Sequence, residues 1–265
     1  MPLQAHDIAT KARITWCPGC PNSQILIAFR QAVSELANEG VVPLHHVTAF
    51  AGIGCHGKIS DYINVNTFTS LHGRLIPAMT GAKCANPNLC IVGFSGDGDS
   101  FDEGLEHLVH AAKRNSDVKL FIHENQVFAL TTGQSNAVSP KGHKGRATPF
   151  GSIEEPFNAL LLMLASGATF VARTAAQDIT MTKNIMRAAM MHKGFAFVDI
   201  IQPCITFFDT REFFKEVLTP LPPSHPTDNL KIALETVQPW GNGKIPVGIF
   251  YDVQKPTFEG ELHQG

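Results

Sequence analysis

Two sets of residues in this chain have the types and spacing to do chemistry. The first is Gly96-Asp97-Gly98, which stands where the apolar run Ile91 to Phe94 ends, together with Asn125, which follows a second apolar run, Val118 to Ile122. A carboxylate and an amide oxygen at two such run ends are hard donors of the kind magnesium takes in octahedral geometry, and magnesium commonly shares them with a diphosphate. The second set is cysteine. Cys17 and Cys20 flank a Pro-Gly turn, Cys55 closes the turn Ala51-Gly52-Ile53-Gly54-Cys55, and Cys204 follows Gln202-Pro203. A close pair with two distant singles suits a four-thiolate site assembled by folding. Tetrahedral sulfur sites hold zinc or a [4Fe-4S] cluster, and the spacing leaves both open.

The elements that must position these residues follow from periodicity. Phe101, Leu105, Leu108, Val109 and Ala112 recur at helical spacing, with Glu103, His107, His110 and Arg114 on the opposite face. Asp-Gly between apolar runs is also a hairpin signal, but the 3.6-residue period to its right argues against one. Ser100 and Glu103 have capping-box spacing, which predicts a helix start near Ser100. That start would place N–H donors and a positive dipole end beside an anion. Strand, turn, helix, strand and turn in this order make a βαβ unit, so the predicted fold class is α/β, a parallel sheet flanked by helices.

Upstream, a helix follows Cys20 with Ile25, Phe29, Ala32, Val33 and Leu36 inward, and a strand is predicted over 46–50. Gly52 and Gly54 let the backbone of the next turn approach a ligand closely. A strand over 65–69 and a helix over 75–85 come next, and Cys84 and Cys90 read as buried small hydrophobes. The stretch after Gln134 is long for a connection inside a domain and has the character of a functional loop. Helices are expected over 156–165 and 176–192, and strands over 170–171 and 195–200. Residues 205–265 hold most of the late prolines and little regular period. The expected division is therefore a ligand-binding domain over 1–204 and a C-terminal extension over 205–265, packed on that domain or on a partner subunit.

Gly96-Asp97-Gly98 with Asn125, 28 positions after Asp97, resembles the cofactor motif of thiamine diphosphate-dependent enzymes. The continuation Leu130-Thr131-Thr132-Gly133-Gln134 resembles the Thr-Gly-Gly-Gln segment of 2-oxoacid:ferredoxin oxidoreductase beta subunits, and the resemblance runs from about Trp16 to Cys204. It implies a thiamine diphosphate-binding fold, with magnesium on Asp97, the Asn125 side chain and the Val127 carbonyl. Gly96, Gly98, Asp99, Leu130 and Thr131 would lie at the cofactor, as would Gly54 and Cys55 of the earlier turn. His72, Gly73 and Arg74 would join them, His72 for a proton or hydrogen bond and Arg74 for charge. Cys17, Cys20, Cys55 and Cys204 would hold a [4Fe-4S] cluster, and Lys58 would read the carboxylate of a 2-oxoacid. Chemistry favours the cluster over zinc here, because decarboxylation at thiamine diphosphate leaves electrons that zinc cannot accept.

The same resemblance implies an alpha subunit that carries the pyrimidine-binding domain and its activating glutamate, coenzyme A as acyl acceptor, and ferredoxin as electron acceptor. 2-Oxoglutarate and pyruvate are the first candidate substrates. Pro21, His56-Gly57 and Thr132 depart from the family's Gly, Ser-Ser and Gly; none removes a proposed ligand, but His56 and Gly57 adjoin Lys58 and bear on its pocket. Two other readings share parts of the pattern: a non-redox thiamine diphosphate decarboxylase or ligase with structural cysteines, and a metal-binding, redox-sensing scaffold. Without the resemblance, Lys58 reads as a solvated lysine, His72 as a helix cap and Arg74 as half of a surface pair.

The 265 residues, 44% hydrophobic and 17% charged, match one α/β domain with a sizeable core. A net charge of -2 with no Lys/Arg-rich run makes nucleic acid and anionic membrane poor partners. The first ten residues lack the layout of a signal peptide, and the most apolar stretch, 159–165, is too short to span a bilayer. The expected compartment is the cytoplasm, where thiols stay reduced and six cysteines act as ligands or core groups rather than disulfides.

Overall fold

The apolar runs become strands covered on both faces. A computed structural model describes residues 2–238 and 243–263. In chain order it begins with α1 (Asn22–Asn38), β1 (Val47–Ala51), β2 (Asn66–Thr69), α2 (Leu75–Ala85), β3 (Cys90–Gly96), α3 (Asp97–Phe101), α4 (Leu105–Arg114) and β4 (Lys119–Glu124). There follow α5 (Ala159–Ala165), β5 (Phe170–Ala175), α6 (Ile179–Met191), β6 (Ala196–Ile201), α7 (Arg211–Val217), β7 (Leu218–Pro220), α8 (Leu230–Thr236), β8 (Ile245–Asp252) and α9 (Phe258–Leu262).

One sheet runs in the order β2-β1-β3-β4-β6-β5-β8-β7. β1 to β6 are mutually parallel, and β8 lies antiparallel to β5. Alternate strand residues face two cores. Val92, Phe94, Phe121 and Val198 meet Phe29, Val33 and Leu36 of α1 and Ile185 and Met186 of α6. Ile91, Leu120, Ile122 and Phe197 meet Met79 of α2, Leu108 of α4 and Leu160 of α5. Burial on both faces explains why the central strands read as continuous apolar runs rather than alternating ones.

The structure corrects several sequence expectations. The single helix expected from Ser100 is two helices, α3 starting at Asp97 and α4 at Leu105. The break is closed by the Gly98 carbonyl, which accepts the N–H groups of both Asp102 and Glu103. Ser100 caps nothing; it is buried, and its hydroxyl donates to the Ser95 hydroxyl at 2.7 Å. The helix expected at 156 begins at Ala159, where Asn158 Oδ1 accepts the Leu161 N–H, and α6 begins after Asp178, which caps it likewise. Cys84 and Cys90 are half-buried rather than core groups. The stretch after 205 is not irregular: β8 takes a place in the main sheet against β5, and Phe214 and Ile245 pack with Ala175 and Ile201.

Candidate active site

Five neighbouring parallel strands end on the same side of the sheet, and each hands the chain to a turn with chemistry. His72 follows β2, Cys55 follows β1, Asp97 follows β3, Asn125 follows β4 and Cys204 follows β6. The chain leaves β1 outward to β2 but leaves β3 inward to β4. The β1–β3 boundary is therefore the topological switch point, where open parallel sheets form a ligand crevice.

A cavity of about 220 Å³ lies there. Gly96, Asp97, Gly98 and Asp99 line it from the end of β3; Asn125, Val127, Leu130 and Thr131 from the exit of β4; Gly54, Cys55 and His72 from the two outer strands. Asp97 is 2% exposed. Its Oδ2 accepts the N–H groups of Asn125 at 2.9 Å and Gln126 at 2.5 Å, and its Oδ1 accepts that of Gly98 at 2.9 Å. Burial nevertheless pushes the carboxyl up to about 7 against the pull of those donors. The Asn125 amide oxygen accepts the Val127 N–H at 3.2 Å. A carboxylate, an amide oxygen and a backbone carbonyl on two adjacent strand ends fit magnesium, which would also keep the buried carboxylate ionised.

Asp99, 3% exposed, ties the neighbouring turns together. Its Oδ1 accepts the Gly73 N–H at 2.8 Å and its Oδ2 the Ser95 hydroxyl at 2.6 Å, while His56 and His72 stand 3.6 and 3.7 Å away. Burial raises this carboxyl too, but His56, Ser95 and the Gly73 N–H outweigh it and hold it below the ordinary range. The turn at Gly73 requires glycine: φ is +69°, and a Cβ would lie 2.3 Å from the Glu103 carbonyl oxygen.

A second cavity, of about 190 Å³, is lined by Cys17, Cys20, Cys55 and Cys204, with Lys58 and Asn22. Burial pushes the Cys20 thiol up to about 11, and the other three thiols add to the shift; burial raises Cys55 as well. The Thr206 hydroxyl donates to Cys17 Sγ at 3.5 Å, Gln202 Nε2 to Cys20 Sγ at 3.7 Å, and Trp16 Nε1 to the Cys55 carbonyl at 2.6 Å. Hydrogen bonds to sulfur of this kind tune metal-bound thiolates. Among the described residues no group of three or more His, Cys, Asp or Glu is drawn tightly enough to hold a single metal ion. The thiols ring a space instead. Cys55, Asn125, Ala129 and Leu130 line both cavities, so the two share a wall.

Residues 52–200 match the family described as thiamine pyrophosphate enzyme, C-terminal TPP binding domain, and residues 204–264 match the family of C-terminal regions of the pyruvate ferredoxin oxidoreductase beta chain. The 2-oxoacid:ferredoxin oxidoreductase 1 subunit beta of Aeropyrum pernix is 38% identical over 263 residues, covering 94% of this chain and 81% of that relative. The chain belongs to the 2-oxoacid:ferredoxin oxidoreductase beta subunits. Another relative, the 2-oxoglutarate synthase subunit KorB of Methanocaldococcus jannaschii, is 33% identical over 260 residues, covering 94% of this chain and 91% of its own. A solved structure of 2-oxoglutarate:ferredoxin oxidoreductase from Magnetococcus marinus, with 2-oxoglutarate, coenzyme A and succinyl-CoA bound, matches with a TM-score of 0.93. The sequence identity is 33%, with 99% of this chain and 89% of the other covered.

In this beta subunit three expected site residues stand away from the first cavity. Lys58 lines the cysteine cavity. Gly73 holds Asp99 from behind the His72 turn, and Arg74 donates to the Glu103 carbonyl at 3.1 Å and meets exposed Glu106 at 3.6 Å. Other contributors gave little sign of themselves. His56, a departure from the family pattern, fills space left by two glycines: a Cβ on Gly54 or Gly96 would lie 2.6 or 2.7 Å from its ring. Trp16, Gln202 and Thr206 were findable, since each has a side-chain donor within two residues of a cysteine. No helix among the described residues is long and apolar enough to cross a membrane.

Proposed function

We propose that this beta subunit, with an alpha subunit that carries the pyrimidine-binding domain, oxidatively decarboxylates a 2-oxoacid to acyl-CoA and carbon dioxide. Electrons would pass through a [4Fe-4S] cluster to ferredoxin. 2-Oxoglutarate is the first candidate substrate, supported by the ligands in the Magnetococcus marinus structure and by the KorB relative, and pyruvate is the second. The observation that carries this reading is the shared wall of Cys55, Asn125, Ala129 and Leu130 between an oxygen-donor cavity and a thiol-lined one.

Bound thiamine diphosphate would supply the carbon nucleophile and electron sink for decarboxylation. The chain's own residues do the rest. Asp97, Asn125 and the Val127 carbonyl would hold magnesium, which would supply positive charge for the diphosphate. Gly96, Gly98, Asp99, Leu130 and Thr131 shape the same cavity, and His72, held near Asp99, is placed to hold or give a proton at its mouth. Lys58 sits across the shared wall, where its ammonium only partly offsets the burial that raises the Cys55 thiol, and can meet a carboxylate reaching over from the cofactor side. Gly73 and Arg74 act by holding the His72 turn. Zinc has no accessible redox state to take the electrons of the decarboxylation, so a cluster is the group the four thiols around this cavity would hold.

In the complex with its partner, Asp97→Ala should weaken magnesium-dependent thiamine diphosphate binding by more than roughly a hundredfold, the upper end of what outer-shell changes cost. Calorimetry measures this, and the visible iron-sulfur absorbance should persist. Unchanged cofactor affinity would overturn the cofactor site. A colourless complex with one zinc per beta chain would overturn the electron path.

A further inference from the structure

The opposite, N-terminal edge of the sheet carries a second concentration of charge. Lys83 from α2, Lys119 at the start of β4, Lys193 in the turn before β6 and His46 before β1 line a cavity of about 110 Å³, together with Asp117 and Cys90. Lys83 is 5% exposed and Lys119 3%. Asp117 accepts from both, Lys83 Nζ at 2.8 Å and Lys119 Nζ at 2.5 Å. Lys83 also donates to the Leu89 carbonyl at 2.6 Å, and Lys119 to the Gly194 carbonyl at 2.8 Å.

A lysine ammonium has three N–H groups, so each buried lysine keeps one without a partner among the described residues. Charge is also unbalanced. Asp117 lines the cavity against two buried ammonium groups, buried Glu259 stands behind it with its Oε2 accepting the Asp117 N–H at 2.9 Å, and Lys193 adds a third cation at the rim. His192, which also lines the cavity, is committed elsewhere: its Nδ1 meets Asp252 at 2.9 Å and its Nε2 the Thr169 hydroxyl at 2.8 Å. A purely structural role, closing turn carbonyls, would need one lysine to neutralise Asp117. It leaves unexplained why a third cation, Lys193, is brought to a cavity where two carboxylates already match the two buried lysines.

We propose that this cavity binds a small tetrahedral oxyanion of the class of inorganic phosphate between Lys83, Lys119 and Lys193, with Cys90 at its edge. The space is well above the roughly 30 Å³ share of one water molecule. Bound there, the anion would join the C-terminal end of α2, the start of β4 and the turn between α6 and β6. It would not compete with a diphosphate at the other edge, because β3 separates Cys90 from Gly96 by six residue steps, roughly 20 Å.

Cys90 is the natural reporter. The complex with the alpha chain, loaded with thiamine diphosphate and magnesium, is alkylated with iodoacetamide at increasing inorganic phosphate, with chloride holding ionic strength constant. Peptide mass spectrometry then gives the rate at each cysteine. Binding slows Cys90 by a factor of one plus the ratio of phosphate to Kd, about tenfold at ten times Kd. Cys84, half-buried on α2 but outside the cavity, keeps its rate, and the protection disappears in Lys193→Gln, which leaves the Lys83–Asp117–Lys119 network in place. Calorimetry with phosphate on the same samples should show one site per beta chain fewer in Lys193→Gln than in the wild type. The proposal is overturned if phosphate leaves Cys90 unprotected, slows Cys84 equally, protects Cys90 just as well in Lys193→Gln, or gives equal stoichiometry in both proteins.

Discussion

Thr132 has a backbone φ of +81°, next to Gly133 at +95°. A β-branched residue pays for that conformation, and it persists only where the surroundings over-determine it. They do so here: Phe128 and Gln134 form a bridge across the turn, the Gly133 N–H donates to the Phe128 carbonyl, and the Thr131 hydroxyl donates to Gln134 Oε1 at 2.6 Å. The family pattern has glycine at this position. Thr132→Gly should therefore stabilise the folded complex by about 1 kcal/mol, the relieved strain less the extra freedom of an unfolded glycine. Urea unfolding measures it, and no gain would show that the turn is unstrained. At this scale the strand-end positions of Asp97 and Asn125 were legible, because each sits one residue beyond a strand visible as an apolar run. Lys58 and Arg74 were less legible: a long side chain goes where its turn points it, and neither the short 3-10 helix His56–Asp61 nor the packing of Arg74 on Glu103 has a sequence period.

Lys119 shows the limit at the level of elements. Val118 to Ile122 reads as an apolar run with a lysine inside it, and only the assembled edge reveals that this lysine is buried with Lys83 against Asp117. Burial alone would raise the Asp117 carboxyl, but Lys119 and Lys83 hold it well below the ordinary carboxylate range. A depressed native value makes its contribution to stability complete above the unfolded value near about 4, and that contribution is lost as pH falls below this toward the native value. Asp117→Asn leaves two buried ammonium groups facing an amide, and should cost about 3–5 kcal/mol at pH 7. The gap to the wild type should narrow below about pH 4. Unfolding at pH 7 and pH 3 separates this from a packing defect, which would leave the gap constant. The helix expected from Ser100 failed for a related reason. Its apolar period continues across 102–104, while the chain breaks there, the Gly98 carbonyl taking the N–H groups of Asp102 and Glu103 and Gly104 packing close to the Gly73 carbonyl, a contact invisible to local spacing. The elements after 205 are short and rest on the main sheet by one side, which is too little length for a period to register.

For the whole molecule, the parallel sheet and its covered faces were implicit in the alternation of apolar runs and helical periods, as was the convergence of cysteines and motif on one edge; the strand order, with β8 antiparallel to β5, was not. The missing part of the site is also a property of the whole. Asp97 and Asp99, the carboxylates lining the first cavity, are both engaged by N–H or hydroxyl donors of the surrounding turns. Neither is available to activate an aminopyrimidine ring. Leu71 beside His72, and Phe150 and Ile153 in the long loop after Gln134, are largely exposed, Phe150 to 97%. The purified single chain should therefore show no dye-linked oxidation of 2-oxoglutarate or pyruvate, and adding the alpha subunit should restore it. Turnover by the lone chain would refute this division of labour.

The cysteine cavity also has a history in time. Cys17 and Cys20 precede α1, whereas Cys204 follows β6. A ribosome working at about 5–20 residues per second makes the first pair roughly 10–40 s before the last thiol. Through that interval the early thiols have no complete site to join. The cavity cannot seed folding, so the sheet must first form on its apolar runs alone, and whatever the thiols hold is added to a chain that is already nearly finished.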